Sequence, residues 1–381
     1  MLGVGLEQIA EILSRLESRA ISVHAKQCVR LRHRRSTCTR CADACPTQAI
    51  TWQGSLKVES DKCVGCGNCA TVCPTGALEA QAPTNAELLG QIKAHVAENR
   101  PLAFACSRYL ETTRVPSAQV VRVKCLGRLD ESILFDAIVD GAPSVTLLDG
   151  VCADCPHAIG RTIAAQTAQT TNALLTAWGV TRRVGFDAQQ VKQAETPPVS
   201  ASTADGMSRR AFFEFLRRET VRATAVTVNS VLTGQAPLAD SEAKLPKGEL
   251  PTRVPAKHQP LLTALRKIGK PVIAEWSGGI WTQFGFSEKC NGCQMCAFFC
   301  PTGALTKIEQ DGKLGVAFKL ALCTDCRLCQ EICYRDGVTL SATIDLNKIV
   351  NDAVDTFLMV DVEAALWKLS PEERLKTLLS N

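Results

Sequence analysis

The chain has 381 residues, 46 % of them hydrophobic, and its one extreme feature is 20 cysteines. That length allows two or three domains with ample core, and no apolar run approaches the ~18–20 residues of a membrane span. The formal charge of +5 would suggest nucleic acid or anionic lipid, but the cysteine pattern alters that balance. A Gly-rich dinucleotide loop, a P-loop and a serine elbow are all missing, and the five histidines are scattered.

In chain order, residues 4–19 carry Leu6, Ile9, Leu13 and Leu16 at helical spacing, so a helical N-terminal segment is expected over 1–27. Glu7 and Glu11 interrupt what an export signal would need as an apolar core. Free thiols in such number then point to a reducing, cytoplasmic compartment and to metal ligation.

Residues 28–82 form the first cysteine-rich module. Cys63, Cys66, Cys69 and Cys73, followed by Pro74, have the spacing C-x2-C-x2-C-x3-C, the ligand pattern of a cubane iron–sulfur cluster. Three thiolates within seven residues wrap one cluster, while a short helix carries the fourth away to another. The preceding run is irregular: Cys38, Cys41 and Cys45 are present, but Arg35 stands where the first cysteine belongs. Cys28 is the nearby thiol that can replace it; the alternative is a three-cysteine site with an open position. The basic run Arg30, Arg32, His33, Arg34, Arg35, Arg40 lies inside this module, where it balances cluster charge or docks an acidic partner.

Residues 95–186 read differently. LAFAC at 102–106, QVVRVK at 119–124 and SVTLLD at 144–149 are short apolar strands. The stretches 130–140 and 157–178 have helical periodicity, the second ending at Gly179. Strands alternating with helices give a small parallel sheet, whose carboxyl ends share one edge. Cys106 and Cys125 end two strands, and Cys152 and Cys155 follow the third, so one four-thiolate site is expected there.

Residues 187–270 are expected to be linker, proline-rich over 234–260, with one helix over 208–224 in which Ser208 is the N-cap. The RR pair of this helix superficially resembles a twin-arginine export signal, but its internal position argues for the plain helix. In 271–340 the cubane spacing occurs twice more, in Cys290, Cys293, Cys296, Cys300 with Pro301, and in Cys323, Cys326, Cys329, Cys333 with Tyr334. Four-cysteine sites are often structural zinc, yet zinc gains nothing from a third hook placed directly after two. Residues 341–381 are expected as a helical tail, with Ser370 and Pro371 opening a last helix.

The segments CVGCGNCATVCPTGAL at 63–78 and CNGCQMCAFFCPTGAL at 290–305 share one frame, and with their partner runs they resemble bacterial two-cluster ferredoxins. The resemblance implies an α+β ferredoxin-like module at each end, with crossed ligand sets and four 4Fe–4S clusters. The sets are Cys28, Cys38, Cys41, Cys73; Cys45, Cys63, Cys66, Cys69; Cys290, Cys293, Cys296, Cys333; and Cys300, Cys323, Cys326, Cys329. The middle stretch, with CSRYL at 106–110, KCLGRLDESILFDAIVDGAPSV at 124–145 and CADC at 152–155, resembles the delta subunit of methyl-viologen-reducing hydrogenase, a domain also found in heterodisulfide-reductase systems. That resemblance implies a 2Fe–2S cluster on Cys106, Cys125, Cys152 and Cys155, relaying electrons to a flavoprotein; zinc, or reactive thiols without a metal, are the alternatives.

The expected fold class is therefore α+β ferredoxin-like modules at both ends with a small parallel α/β domain between them. Each oxidised cluster with four thiolates carries about −2, so five would take the chain from +5 to about −5 and remove the case for nucleic acid. The expected function is an electron-transfer subunit working with flavoprotein or catalytic oxidoreductase subunits. Chemistry at the Cys106/Cys125/Cys152/Cys155 site and cluster assembly are the alternatives. A cluster scaffold needs exposed ligands, whereas these motifs are expected to bury theirs among Val64, Ala70 and Ile50.

Overall fold

Short alternating stretches and tight turns build the first module. A computed structural model describes residues 20–98, 101–113, 120–187 and 250–361, all within one unit. Strand β1 (Ile21–Val23) pairs antiparallel with β4 (Leu78–Ala80), and β2 (Ile50–Thr51) pairs with β3 (Lys57–Val58). Between them lie one-turn helices at Val29–Arg32, Arg40–Asp43 and Asn68–Val72. Ile21, Ile50, Leu56 and Leu78 close over Cys28, Cys41, Cys69 and Cys73 in a separate small core.

The expected N-terminal helix is corrected at its described end. Ile21 and Val23 flank Ser22 as β-branched residues on one face of a strand, and Ala25–Gln27 is a single 3-10 turn. Residues 4–19 lie outside the described residues.

The middle domain holds a four-stranded, wholly parallel sheet in the order β6 (Val121–Val123), β5 (Leu102–Cys106), β7 (Val145–Leu148), β8 (Val184–Asp187). Its longer helices are α1 (Asn85–Ala97), α2 (Glu131–Val139) and α3 (Ile159–Ala177), and a two-turn helix, Ser107–Thr113, follows β5 directly. Leu102, Phe104, Val121, Val145 and Leu147 pack with Ile133, Leu134 and Ile138 of α2 in the main core. The parallel sheet agrees with the reading of the sequence, which had anticipated neither α1 nor β8. Asp130 caps α2 by accepting from the Ile133 amide at 3.2 Å.

The expected linker is also corrected. The stretch 208–224 lies outside the described residues, but His258–Ile268 forms a further helix, α4, burying Leu261, Leu262 and Leu265. Those leucines recur at helical spacing, and Pro260 falls in the first turn, where its missing N–H costs nothing.

The last module has three antiparallel groups: β9 (Glu275–Trp276) with β14 (Ile344–Asp345), β10 (Gln283–Phe286) with β13 (Val338–Ser341), and the sheet β11 (Leu305–Gln310), β12 (Lys313–Lys319), β15 (Val354–Asp361). The expected helical tail is thus replaced by strand over 354–361. Phe357 of β15 meets Phe284 and Phe286 edge-on, each at 5.6 Å between ring centroids, a packing gain that outweighs local helix preference. The segment opened by Ser370 lies outside the described residues. Among the described residues no helix is long and apolar enough to cross a membrane.

Candidate metal centres

Cys28 is the N-cap of the one-turn helix Val29–Arg32 and only 7 % exposed. It lines one small cavity with Cys38, Cys41 and Cys73, closed by Val29, Trp52, Leu56 and Leu78. Arg35, in the place of the missing cysteine, points elsewhere and donates to the Ile332 carbonyl at 3.4 Å. A second cavity is lined by Cys45, Cys63, Cys66 and Cys69 with Ile21, Ile50 and Val58. Both crossed sets of the first module are therefore brought together, Cys28 included. Val64 differs from its expected burial and is 42 % exposed, at the rim of the second cavity.

The C-terminal cysteines group in the same crossed manner. Burial pushes the Cys296 thiol up to about 12, with Cys293, Cys290 and Cys333 as its thiol neighbours. The Cys329 thiol is raised well above its ordinary value by burial, then by Cys326, Cys323, Cys300 and Cys296. Backbone amides turn to the sulfurs, as Gly292 to Cys290 at 3.4 Å and Gly337 to Cys333 at 3.2 Å. In the first module Ala49 does the same to Cys45 at 3.3 Å.

At the sheet edge, Cys106 ends β5, Cys125 leads into the turn Leu126–Arg128, and Cys152 and Cys155 lie in the loop before α3. Burial raises the Cys125 thiol to about 12, helped by Cys66, Cys152 and Cys106. Cys152 rises to about 11 through burial, then Cys106, Asp149 and Cys155. Amides again face sulfur, Tyr109 to Cys106 and His157 to Cys155, both at 3.4 Å. Asp149 is held by Arg161 at 2.9 Å, and that guanidinium also lies over Phe186.

Two features were missed in the sequence. A threonine follows the fourth cysteine by two residues in three runs, and its hydroxyl lies 3.7 Å from Cys45 (Thr47), 3.8 Å from Cys73 (Thr75) and 3.7 Å from Cys300 (Thr302). The repeated C-P-T triplet was the available signal. The second is that the basic run grips the other module of the same chain. Arg32 donates to the Phe299 and Cys300 carbonyls at 3.3 and 3.4 Å and also reaches Pro251, while Arg40 donates to the Asp325 carbonyl at 3.1 Å. Residues 250–257 strap the two modules together: the Arg253 amide donates to the Pro301 carbonyl at 2.9 Å, and its guanidinium pairs with Glu79 at 2.9 Å.

The donor sets fit iron–sulfur clusters. Thiolates are expensive in apolar shells unless a positive centre sits beside them, so buried neutral thiols release protons as metal enters. Each set offers four thiols, the donor chemistry that iron–sulfur clusters take.

Comparison with known proteins agrees in outline. Residues 34–77 match the model of a 4Fe-4S dicluster domain, residues 102–207 that of the methyl-viologen-reducing hydrogenase delta subunit, and residues 286–306 that of a 4Fe-4S binding domain. No curated protein and no solved structure matches the chain. Cys28 and the run Cys323–Cys333 fall outside the matched stretches, so their assignment rests on spacing and geometry.

Proposed function

We propose that this chain is an iron–sulfur electron-transfer subunit with four 4Fe–4S clusters on the crossed sets and one 2Fe–2S cluster on Cys106, Cys125, Cys152 and Cys155. The observation that carries the reading is the gathering of four thiols at each place where the crossed pattern asks for them, inside apolar shells with amides aimed at sulfur. When loaded, such clusters take and release single electrons. The protein's part is to bury them and to set their potentials by hydrogen bonding and nearby charge.

The likeness of 102–207 to a hydrogenase delta subunit supports a place in a multi-subunit oxidoreductase. The middle site is then the contact with a flavoprotein or catalytic subunit. In the assembled complex, replacing Cys152 and Cys155 by serine should stop delivery to the partner while the cubanes remain reducible by a strong one-electron reductant. Unchanged delivery in that double variant, or substrate turnover by the isolated chain, overturns the proposal.

A further inference from the structure

We infer that the five thiol sets stand in single file, with the Cys290 set at one end and the Cys106 set at the other, and that Arg40 spans the contact between the two cysteine-rich modules. This rests on the electron-transfer reading above. Four contacts join neighbours in the file, and each is visible in packing.

Within the C-terminal module, the one-turn helices Met295–Phe298 and Leu328–Glu331, which carry Cys296 of the end set and Cys329 of the next, pack against each other. Across the modules, Val29, Leu328 and Ile332 form their own small core, against which Cys38 and Cys326 both pack. This places the Cys300 set beside the Cys28 set. Within the first module, Cys41 and Cys69 share one core, joining the Cys28 set to the Cys45 set.

The last contact depends on glycine. A Cβ at Gly160 would lie 2.2 Å from Cys125 Sγ and 3.4 Å from Asn68 Oδ1, and one at Gly127 would lie 2.4 Å from that same oxygen. Asn68 sits between Cys66 and Cys69 and is fully buried. Bare backbone thus brings the Cys45 set against the Cys106 set, and Cys66 is the first thiol neighbour of Cys125.

Arg40 touches both sides of the inter-module contact. Its Nη2 donates to the Asp325 carbonyl at 3.1 Å and lies 3.8 Å from the Asp325 carboxylate. Its amide and charge favour the thiolate of Cys38, and its charge that of Cys326. A fixed cation between two anionic clusters favours the reduced form of each. An electron passing along the file leaves one cluster oxidised and the next reduced, with no bond made or broken; a one-electron donor at one end and acceptor at the other complete the balance.

The test uses the full holo chain carrying Tyr334→Cys, an exposed position beside Cys333 (55 % exposed), labelled with a ruthenium photoreductant. After a flash, freeze-quenched electron paramagnetic resonance should show reduced cubane first and the reduced middle site afterwards. Adding Cys41→Ser should leave the C-terminal cubanes reducible and abolish reduction of the middle site. Undiminished arrival in that variant overturns the single file while the electron-transfer reading stands; failure of any transfer in the parent sinks that reading too. Should Cys41→Ser not fold, Arg40→Gln decides: redox titration should move two cubanes to lower potential and leave the other centres unmoved, with Arg40→Lys restoring them. No movement, or movement of all five, overturns the inference.

Discussion

At Gly160 there is no room for even one methyl group beside Cys125. Gly160→Ala would force its Cβ into the space of Cys125 Sγ, and the buried Asn68 amide, 3.4 and 3.5 Å away, leaves little room to yield. The holo variant should lose the iron and visible absorption of the middle site, about two irons, and keep its cubanes. Gly185→Ala, where nothing lies within 4 Å, should change stability by less than about 0.5 kcal/mol. His258 provides a second prediction at this scale. Burial holds its imidazole down at about 4, even though Nε2 lies 2.7 Å from the Ala321 carbonyl. Above the unfolded value of about 6.5 both states are neutral and stability is flat. As pH falls from there towards 4, the unfolded chain takes up a proton that the folded chain refuses, so stability drops by up to about 1.4 kcal/mol per unit and levels off below. Between pH 7.5 and 5.5 the parent should therefore lose roughly 1 kcal/mol more than His258→Gln in urea unfolding; equal losses would show that His258 does not govern this range.

At the scale of elements, the strap 250–257 is where the expected linker turns out to fix the architecture. Burial opposes the charge on Glu79, but hydrogen bonds from His24 and Arg253 outweigh it and hold the carboxyl below its usual range. Arg253→Ala removes that partner together with the bond to Gly76, and should cost about 1–3 kcal/mol and speed proteolysis between the modules. Undiminished stability would mean the strap merely lies on the surface. Elements built on cysteine spacing and strand alternation were legible: the parallel sheet follows from LAFAC, VVRV and SVTLL. The 84–87 stretch T-x-x-E was an unused signal for α1, since Thr84 and Glu87 form a full capping box. β15 was not legible, because Val354, Phe357 and Met359 make no clean two-residue alternation and the strand exists through its pairing with β12.

For the whole molecule, the sequence supplies each set of thiols but not how the sets meet. The crossed pairing within a module is local and follows from motif spacing. The contact between modules depends on Arg32 and Arg40 meeting carbonyls some 260 to 290 residues away in sequence, a relation no periodicity encodes. Cys28 stands between these cases: ligand counting selects it, and the cavity it shares with Cys38, Cys41 and Cys73 explains how a ten-residue excursion is tolerated. Loop closure costs grow slowly with length, so moving the first ligand upstream is cheap, and it frees Arg35 to bind the other module. The whole-chain expectation is then arithmetic. Anoxically prepared protein should hold about eighteen irons, and Cys28→Ser should impair one cubane while leaving the signals of the Cys290 and Cys300 sets unchanged. An iron content near fourteen in the parent would mean that the Cys28 set carries no cubane, and zinc near one per chain with less iron would displace 2Fe–2S from the middle site. Because the Cys28 set is the third of five in the file, its loss should also divide the reducible centres into two groups that no longer equilibrate, whereas loss of an end set should leave four in exchange.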